Sequence, residues 1–273
     1  MAALLATTAA HAQWLNYIGP DVPMKNGKPN LSAPAPRATD GKPDLSGVWL
    51  HERTSDAEMK RLFSAFAAEL DASPIGMEAD TAHKTAMNIL VDKKPGEVEL
   101  TPAGEAAMKK RNAERDPSNV CHGEYGWPVA GLLTEPFKIV QTPRLTLVLY
   151  EIDSLRRQIF ADGRKFPATV EFPAYLGYSI GRWEGDTFVV ETRGFNDRTP
   201  LDAMGHPRSE NLKVTERYHR PNFGRLIIDY TYEDPELYTK PITVTIPYSL
   251  VADNDIFEMF CSQNEKDKAH MVK

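Results

Sequence analysis

A chain of 273 residues, 41% apolar and 9% aromatic, is long enough to bury a real core as one large β domain or two ordinary ones. Its formal charge of -6 excludes broad nucleic-acid binding, which needs clustered Lys and Arg to meet phosphates. Glycine (17) and proline (21) are plentiful, so many turns and few long helices are expected.

The chain opens with an alanine and leucine run, Met1 to Ala12, that ends Ala-His-Ala before Gln13. Small residues at that spacing are a secretory cleavage pattern, although a basic n-region is missing. The expectation is export to the periplasm or outside the cell; the bland reading is an alanine-rich tail. No run approaches the roughly 18 apolar residues that span a membrane as a helix, so no membrane span is expected.

Gln13 to Pro43, rich in Pro, Gly and Asn, reads as an extended arm. It holds an internal echo, Asn26-Gly27-Lys28-Pro29-Asn30-Leu31-Ser32 and then Asp40-Gly41-Lys42-Pro43-Asp44-Leu45-Ser46. Each copy is a turn signal followed by an extended step, and the second leads into a first strand at Gly47-Val48-Trp49.

A helical insertion is expected over about 55–115. Ser55 with Glu58 makes a capping box, and Met59, Leu62, Phe63, Phe66 and Leu70 recur at three- and four-residue steps. A second helix starts at Thr101 with Pro102 in its first turn and runs through Arg111. Cys121 and Cys261 either close a disulfide loop of about 140 residues in an oxidising compartment or remain buried thiols. Cys121-His122 lacks the partner pair of a zinc site, and no cofactor is expected.

From Pro136 onward the pattern changes to short strands. Candidates are Phe137–Gln141, Arg144–Glu151, Arg157–Ala161, Tyr178–Trp183, Thr187–Thr192, Leu212–Arg220, Arg225–Tyr232, Ile242–Ser249 and Ile256–Phe260. Asp162-Gly163, Glu184-Gly185-Asp186, Asn222-Phe223-Gly224 and Asp234-Pro235 mark turns. Consecutive strands without intervening helices predict an antiparallel barrel of about eight to ten strands, because closure removes unpaired edges. The domain reading is a leader remnant at 1–12, an arm at 13–43 and one barrel domain at 44–273.

Within Leu212–Arg220 the chemistry is unusual. Leu212, Val214, Glu216 and Tyr218 share one face by period two, which places a carboxylate inside an apolar row. Glu151 lies in register with Leu145, Leu147 and Leu149 and is expected to face the same interior. Arg217 points away from Glu216, so the partner must come across the barrel, with Arg157 or Arg164 as candidates. A structural buried ion pair is the plainer alternative. The long polar loop from Gly194 to Pro207 supplies Asp197, Asp202 and His206, groups suited to proton transfer or to turn formation. Tyr218, Tyr230, His122 and Trp127 complete the expected pocket wall.

Leu45-Ser46-Gly47-Val48-Trp49 resembles the Gly-x-Trp strand start of lipocalin-like proteins, which implies that Trp49 plugs the closed end of a barrel. The wider pattern joins Asp40 to Trp49 with Arg157–Arg164, Trp183-Glu184-Gly185-Asp186-Thr187, Glu191-Thr192 and Val214-Thr215-Glu216-Arg217. Together these segments resemble an uncharacterised family of exported bacterial proteins, which implies an exported location.

No serine-hydrolase elbow, phosphate loop, dinucleotide fingerprint or His-Glu-x-x-His helix occurs in the sequence. The leading expectation is therefore a cofactor-independent lyase or isomerase acting on a hydrophobic or aromatic small molecule. Glu216 or His206 would move the proton, with Arg157 and Asp197 alongside; Glu151, Tyr218, Tyr230, Asp202, Arg164, His122 and Trp127 would contact the ligand. The alternatives are a non-catalytic lipocalin-like carrier, and an envelope interaction module whose arm docks on a partner.

Overall fold

The computed structural model describes residues 17–63, 83–114, 126–133, 135–202 and 204–258. Cys121, His122 and Cys261 lie outside the described residues, as do Met1 to Ala12, Phe66 and Leu70.

The arm begins with a two-stranded hairpin, β1 (Met24–Lys25) and β2 (Lys28–Pro29). Asn26 and Gly27 between them both have positive φ, which is what a tight two-residue hairpin turn demands. The second copy of the echo turns as well: Gly41 has φ 77°, and Ala38 N–H donates to Lys42 O at 2.8 Å.

Nine strands then close a barrel: β3 (Gly47–His51), β4 (Phe137–Gln141), β5 (Leu145–Tyr150), β6 (Arg156–Phe160), β7 (Tyr178–Glu184), β8 (Thr187–Arg193), β9 (Lys213–Asn222), β10 (Arg225–Glu233) and β11 (Ile242–Val251). Each strand pairs with its neighbour in sequence, and β11 returns to β3. Eight of the nine pairings are antiparallel and one, β6 with β7, is parallel. Strands that alternate direction close only in even numbers, so an odd barrel must contain a parallel pair. The connection 161–177 supplies it by returning along the wall before β7 starts.

Two expectations change here. Residues 256–258 form no strand, for β11 is already paired on both sides and a closed barrel offers no edge to extend. On β5 the inward row is Thr146, Val148 and Tyr150, while Leu145, Leu147 and Leu149 are half-buried on the outer face. Both faces of β5 are apolar, so period two alone does not say which one points in.

Helix α1 (Asp56–Phe63) starts where the capping box predicts, with Glu58 N–H donating to Ser55 Oγ at 3.4 Å. Glu58 uses its carboxylate on Arg61 instead of the cap. A short α2 (Lys84–Met87) follows, and α3 (Pro102–Glu114) is capped by Thr101 Oγ1, which accepts from Gly104 N–H.

One end of the barrel, formed by the β4–β5, β7–β8 and β9–β10 turns and the start of β3, is sealed. Trp49 is fully buried there; its Nε1 donates to Leu45 O, and Arg220 lies 4.9 Å over its ring. Arg220 also donates to Asp44 O, Ser46 O and Phe223 O, tying the incoming chain across the opening. The arm packs outside this end. Gly224 N–H donates to Leu31 O, Phe223 N–H to Ala33 O, and Arg37 makes a two-pronged pair with Asp186. Residues 31–37 of the arm thus dock on their own barrel.

Inside, side chains interlock closely enough that glycine is required at one wall position. A methyl at Gly181 would lie 2.3 Å from Phe188 Cζ and 3.0 Å from Ile159 Cγ2. Gly181→Ala is expected to destabilise the fold by about 1–3 kcal/mol through overpacking. Urea denaturation checks this; an unchanged midpoint would mean that the ring moves aside freely.

Candidate functional site

The centre of the barrel is built on four adjacent strands. Arg157 points inward from β6, Ser179 from β7, Thr192 from β8, and Glu216 from β9. Arg157 Nη1 donates to Glu216 Oε1 at 3.0 Å and Nη2 to Glu216 Oε2, a forked pair with both side chains about 1% exposed. Arg157 Nε donates to Ser179 Oγ at 3.0 Å and Nη2 to Thr192 Oγ1 at 2.6 Å. Tyr218, two residues along the same face from Glu216, donates its hydroxyl to Oε1 at 2.6 Å. Burial by itself would lower the Arg157 pKa, but the facing Glu216 carboxylate reverses that and raises it.

The Arg157 edge is therefore engaged by acceptors, and its flat face carries a different contact. Trp127 lies 3.9 Å from the guanidinium carbon, stacked on its other flank at 5.8 Å from Phe195. Trp127 belongs to a buried turn, Gly126 to Leu132, that roofs the end of the barrel opposite Trp49. Arg208 pins the turn by donating to Trp127 O, to Asn196 O at 3.0 Å and to Tyr175 O at 3.3 Å.

Under this roof lies a ring of tyrosines. Tyr230 and Tyr248 share a hydrogen bond at 2.9 Å, Tyr230 stacks on Tyr232 at 6.0 Å, and Tyr248 reaches Gly131 O at 3.4 Å. Burial pushes the hydroxyls of Tyr150, Tyr218, Tyr230, Tyr232 and Tyr248 upward, so all five stay protonated at neutral pH. His51 packs 4.6 Å from Tyr248 and places Nε2 3.1 Å from Gly131 O. A carbonyl only accepts, so Nε2 carries the hydrogen and Nδ1 is a bare acceptor. Burial, then the neighbouring charge of His83, pushes His51 down to about 3. Burial and the Lys84 charge push His83 down to about 4. Two enclosed polar atoms of this cluster, His51 Nδ1 and the Tyr232 hydroxyl, have no hydrogen-bond partner among the described residues.

The expected site residues divide accordingly. Glu216, Arg157, Tyr218 and Trp127 meet at the centre, with Tyr230 one step away. His206 joins Asp202 instead: Nδ1 lies 2.6 Å from Oδ2, and Asp202, fully buried, also accepts from Ile89 N–H and His206 N–H. Asp202 thus fastens the loop to the 83–91 segment. Asp197 is exposed on that loop. Glu151 follows β5, is half-buried, and accepts from Phe257 N–H, so it does not share the interior with Glu216. Arg164 is exposed and engaged with Asp162 and the Tyr178 hydroxyl. It borders an open groove of about 720 Å³ lined by Asp162, Gly163, Arg164, Lys165, Pro167 and Tyr178, none of them members of the central cluster.

His51, Tyr150, Tyr232, Tyr248, Ser179 and Thr192 escaped the sequence reading. Period two held the signal for two of them: His51 follows Trp49 on the inward face of β3, and Tyr232 follows Tyr230 on β10.

Removing one member of a buried pair leaves the other charged and unpartnered. Arg157→Met and Glu216→Gln are each expected to lower stability by about 3–5 kcal/mol, and Arg157→Met/Glu216→Leu by much less than their sum. Denaturant midpoints of the two singles and the double measure this coupling; strict additivity would mean the groups act independently. The histidines set a separate pH dependence. Their folded pKa values, about 3 and about 4, lie below the ordinary 6.5, so the unfolded chain takes up protons that the folded chain refuses. Stability is then full above 6.5 and declines as pH falls toward 4, by up to about 1.4 kcal/mol per pH unit for each histidine. His51→Phe should lessen that decline in urea titrations; equal slopes would remove His51 as its source.

The chain matches no protein-family model, no curated protein and no solved structure.

Proposed function

We propose that this protein is an exported small-molecule-binding barrel of the lipocalin-like type, a carrier for an aromatic or hydrophobic ligand. The observation that carries the reading is the state of Glu216. Its carboxylate accepts from Arg157 twice and from Tyr218, and the residue has no exposed surface. A general base must present a lone pair to the proton it removes, and this one is enclosed by its own donors. The central charges support recognition and architecture better than proton transfer.

Three further features favour a carrier. A tryptophan in the first strand seals one end, in keeping with the lipocalin-like resemblance of Gly47-Val48-Trp49. Aromatic rings, Trp127, Tyr150, Tyr218, Tyr230 and Tyr248 among them, line the interior beside aliphatic side chains and a central polar cluster, a mixture suited to a small molecule with both characters. The Ala10-His11-Ala12 pattern supports delivery outside the cytoplasm, where such carriers act.

One observation favours a second reading, acid–base catalysis. Asp202 holds His206 by Nδ1, which orients the ring and leaves Nε2 for a substrate.

Native mass spectrometry of the purified protein is expected to retain a bound mass of small-molecule size that is lost on denaturation, and added ligand should raise the melting temperature. Absence of any bound mass, together with no thermal shift across a panel of hydrophobic compounds, would sink the carrier reading. Turnover of a bound compound that His206→Gln abolishes without weakening binding would move the assignment to the enzyme.

A further inference from the structure

The two ends of the barrel are closed by tryptophans in different ways. Trp49 is part of β3 and is paired on one side with Leu250 and on the other with Phe137, so it cannot leave without unpairing the sheet. Trp127 belongs to no strand. It enters the lumen from a turn whose backbone bonds are local, Ala130 N–H to Gly126 O, Gly131 N–H to Pro128 O and Leu132 N–H to Val129 O, and which Arg208 ties to the wall by one side-chain bond to Trp127 O.

The contacts of this turn resemble those of a bound small molecule. A planar bicyclic ring lies on the open face of Arg157 at 3.9 Å. A carbonyl, that of Gly131, accepts from His51 Nε2 at 3.1 Å and from the Tyr248 hydroxyl at 3.4 Å. Two groups of the cluster are not used by the turn, the Tyr232 hydroxyl and His51 Nδ1 on the far edge of the ring, each enclosed and unpartnered among the described residues. An enclosed polar atom without a partner is destabilising, and a ligand that supplies the partner gains by that amount.

We propose that the Gly126–Leu132 turn is a built-in occupant of the lumen, displaced by an uncharged planar aromatic compound that carries a carbonyl and a hydroxyl group. This rests on the carrier reading above and specifies its ligand. The ring replaces the indole on Arg157, and the carbonyl replaces Gly131 O between His51 and Tyr248. The hydroxyl accepts from Tyr232. A charged ligand is disfavoured: Arg157 and Glu216 neutralise each other, and burial keeps His51 and the tyrosines neutral.

Three probes of one ring size test the class: 2-acetyl-6-hydroxynaphthalene, 2-ethylnaphthalene and 6-hydroxy-2-naphthoate, titrated calorimetrically against the full chain. The hydroxyketone is expected to bind at least about tenfold tighter than either of the others, the effect of one or two enclosed hydrogen bonds. Hydrogen exchange followed by mass spectrometry reads the displacement. Amides of Ala130, Gly131 and Leu132 should exchange faster in the complex, while those of β9 and β10 slow. His51→Phe should bring the affinities for the hydroxyketone and 2-ethylnaphthalene together, and Trp127→Ala should tighten binding by removing the competitor. Equal affinity for all three probes overturns the proposal, as does binding that leaves the turn's amides protected. If a fatty acid is retained in native spectra and none of the probes binds, the ligand class falls and the carrier reading stands. If neither a retained mass nor any binding is found, both fall.

Discussion

The forked ion pair between Arg157 and Glu216 is the constraint on which the barrel depends. Withdrawing either charge from water costs several kcal/mol, and the loss is offset only when every donor and acceptor finds a partner. Those partners come from β6, β7, β8 and β9, so all four strands must hold one register at once. A slip of one residue would turn Glu216 to the outer face and leave Arg157 alone inside. The pair also spans the weakest seam. β6 and β7 run parallel and are matched at only two positions, Ile159 with Ser179 and Phe160 with Ile180. The Arg157 bond to Ser179 crosses that seam, and those to Thr192 and Glu216 carry it to the longer ladders beyond.

Much of this was legible from the order of residues. Period two within 212–220 makes Glu216 an inward carboxylate, and excluding Arg217 on the same strand sends the search across the barrel to Arg157 or Arg164, between which the fold chooses Arg157. Strand limits follow from Asp-Gly, Gly-Asp and Asn-Phe-Gly turns, which act locally and need no tertiary context. Illegible features were those decided by tertiary competition. On β5 two apolar rows compete for the interior, and the choice falls to Thr146, Val148 and Tyr150 because β4 and β6 fix the pleat on either side. The parallel pair is a parity requirement of the closed ring, invisible in any single strand. His206 and Asp202 sit in a loop where the same residue types serve turns and catalysis alike, and only the fold assigns Asp202 to holding Ile89.

The polar interior is graded along the barrel axis. At the sealed end Arg220 gives both Nη groups to backbone carbonyls and lies over Trp49, with its Nε left without a partner among the described residues. At the roofed end the partners are tyrosine hydroxyls, a neutral histidine and a carbonyl from a loop. Neutral hydrogen bonds of this kind exchange partners at small net change in free energy, whereas the central charges do not. A barrel made this way keeps its architecture in the middle and its adaptability at one end.

A guanidinium group makes the two roles compatible. Its N–H donors lie in the plane of the group, and its faces are weakly hydrated surfaces suited to aromatic rings. In Arg157 the plane is directed at Glu216, Ser179 and Thr192, which fixes the strands, while the face is directed at Trp127. Lysine at this position would supply the charge without a flat face, and a neutral aromatic would supply the face without the register. The same side chain therefore sets the barrel's closure and offers an aromatic ring its stacking surface. An aromatic occupant can change without disturbing the ion pair, because the two contacts use different parts of one group.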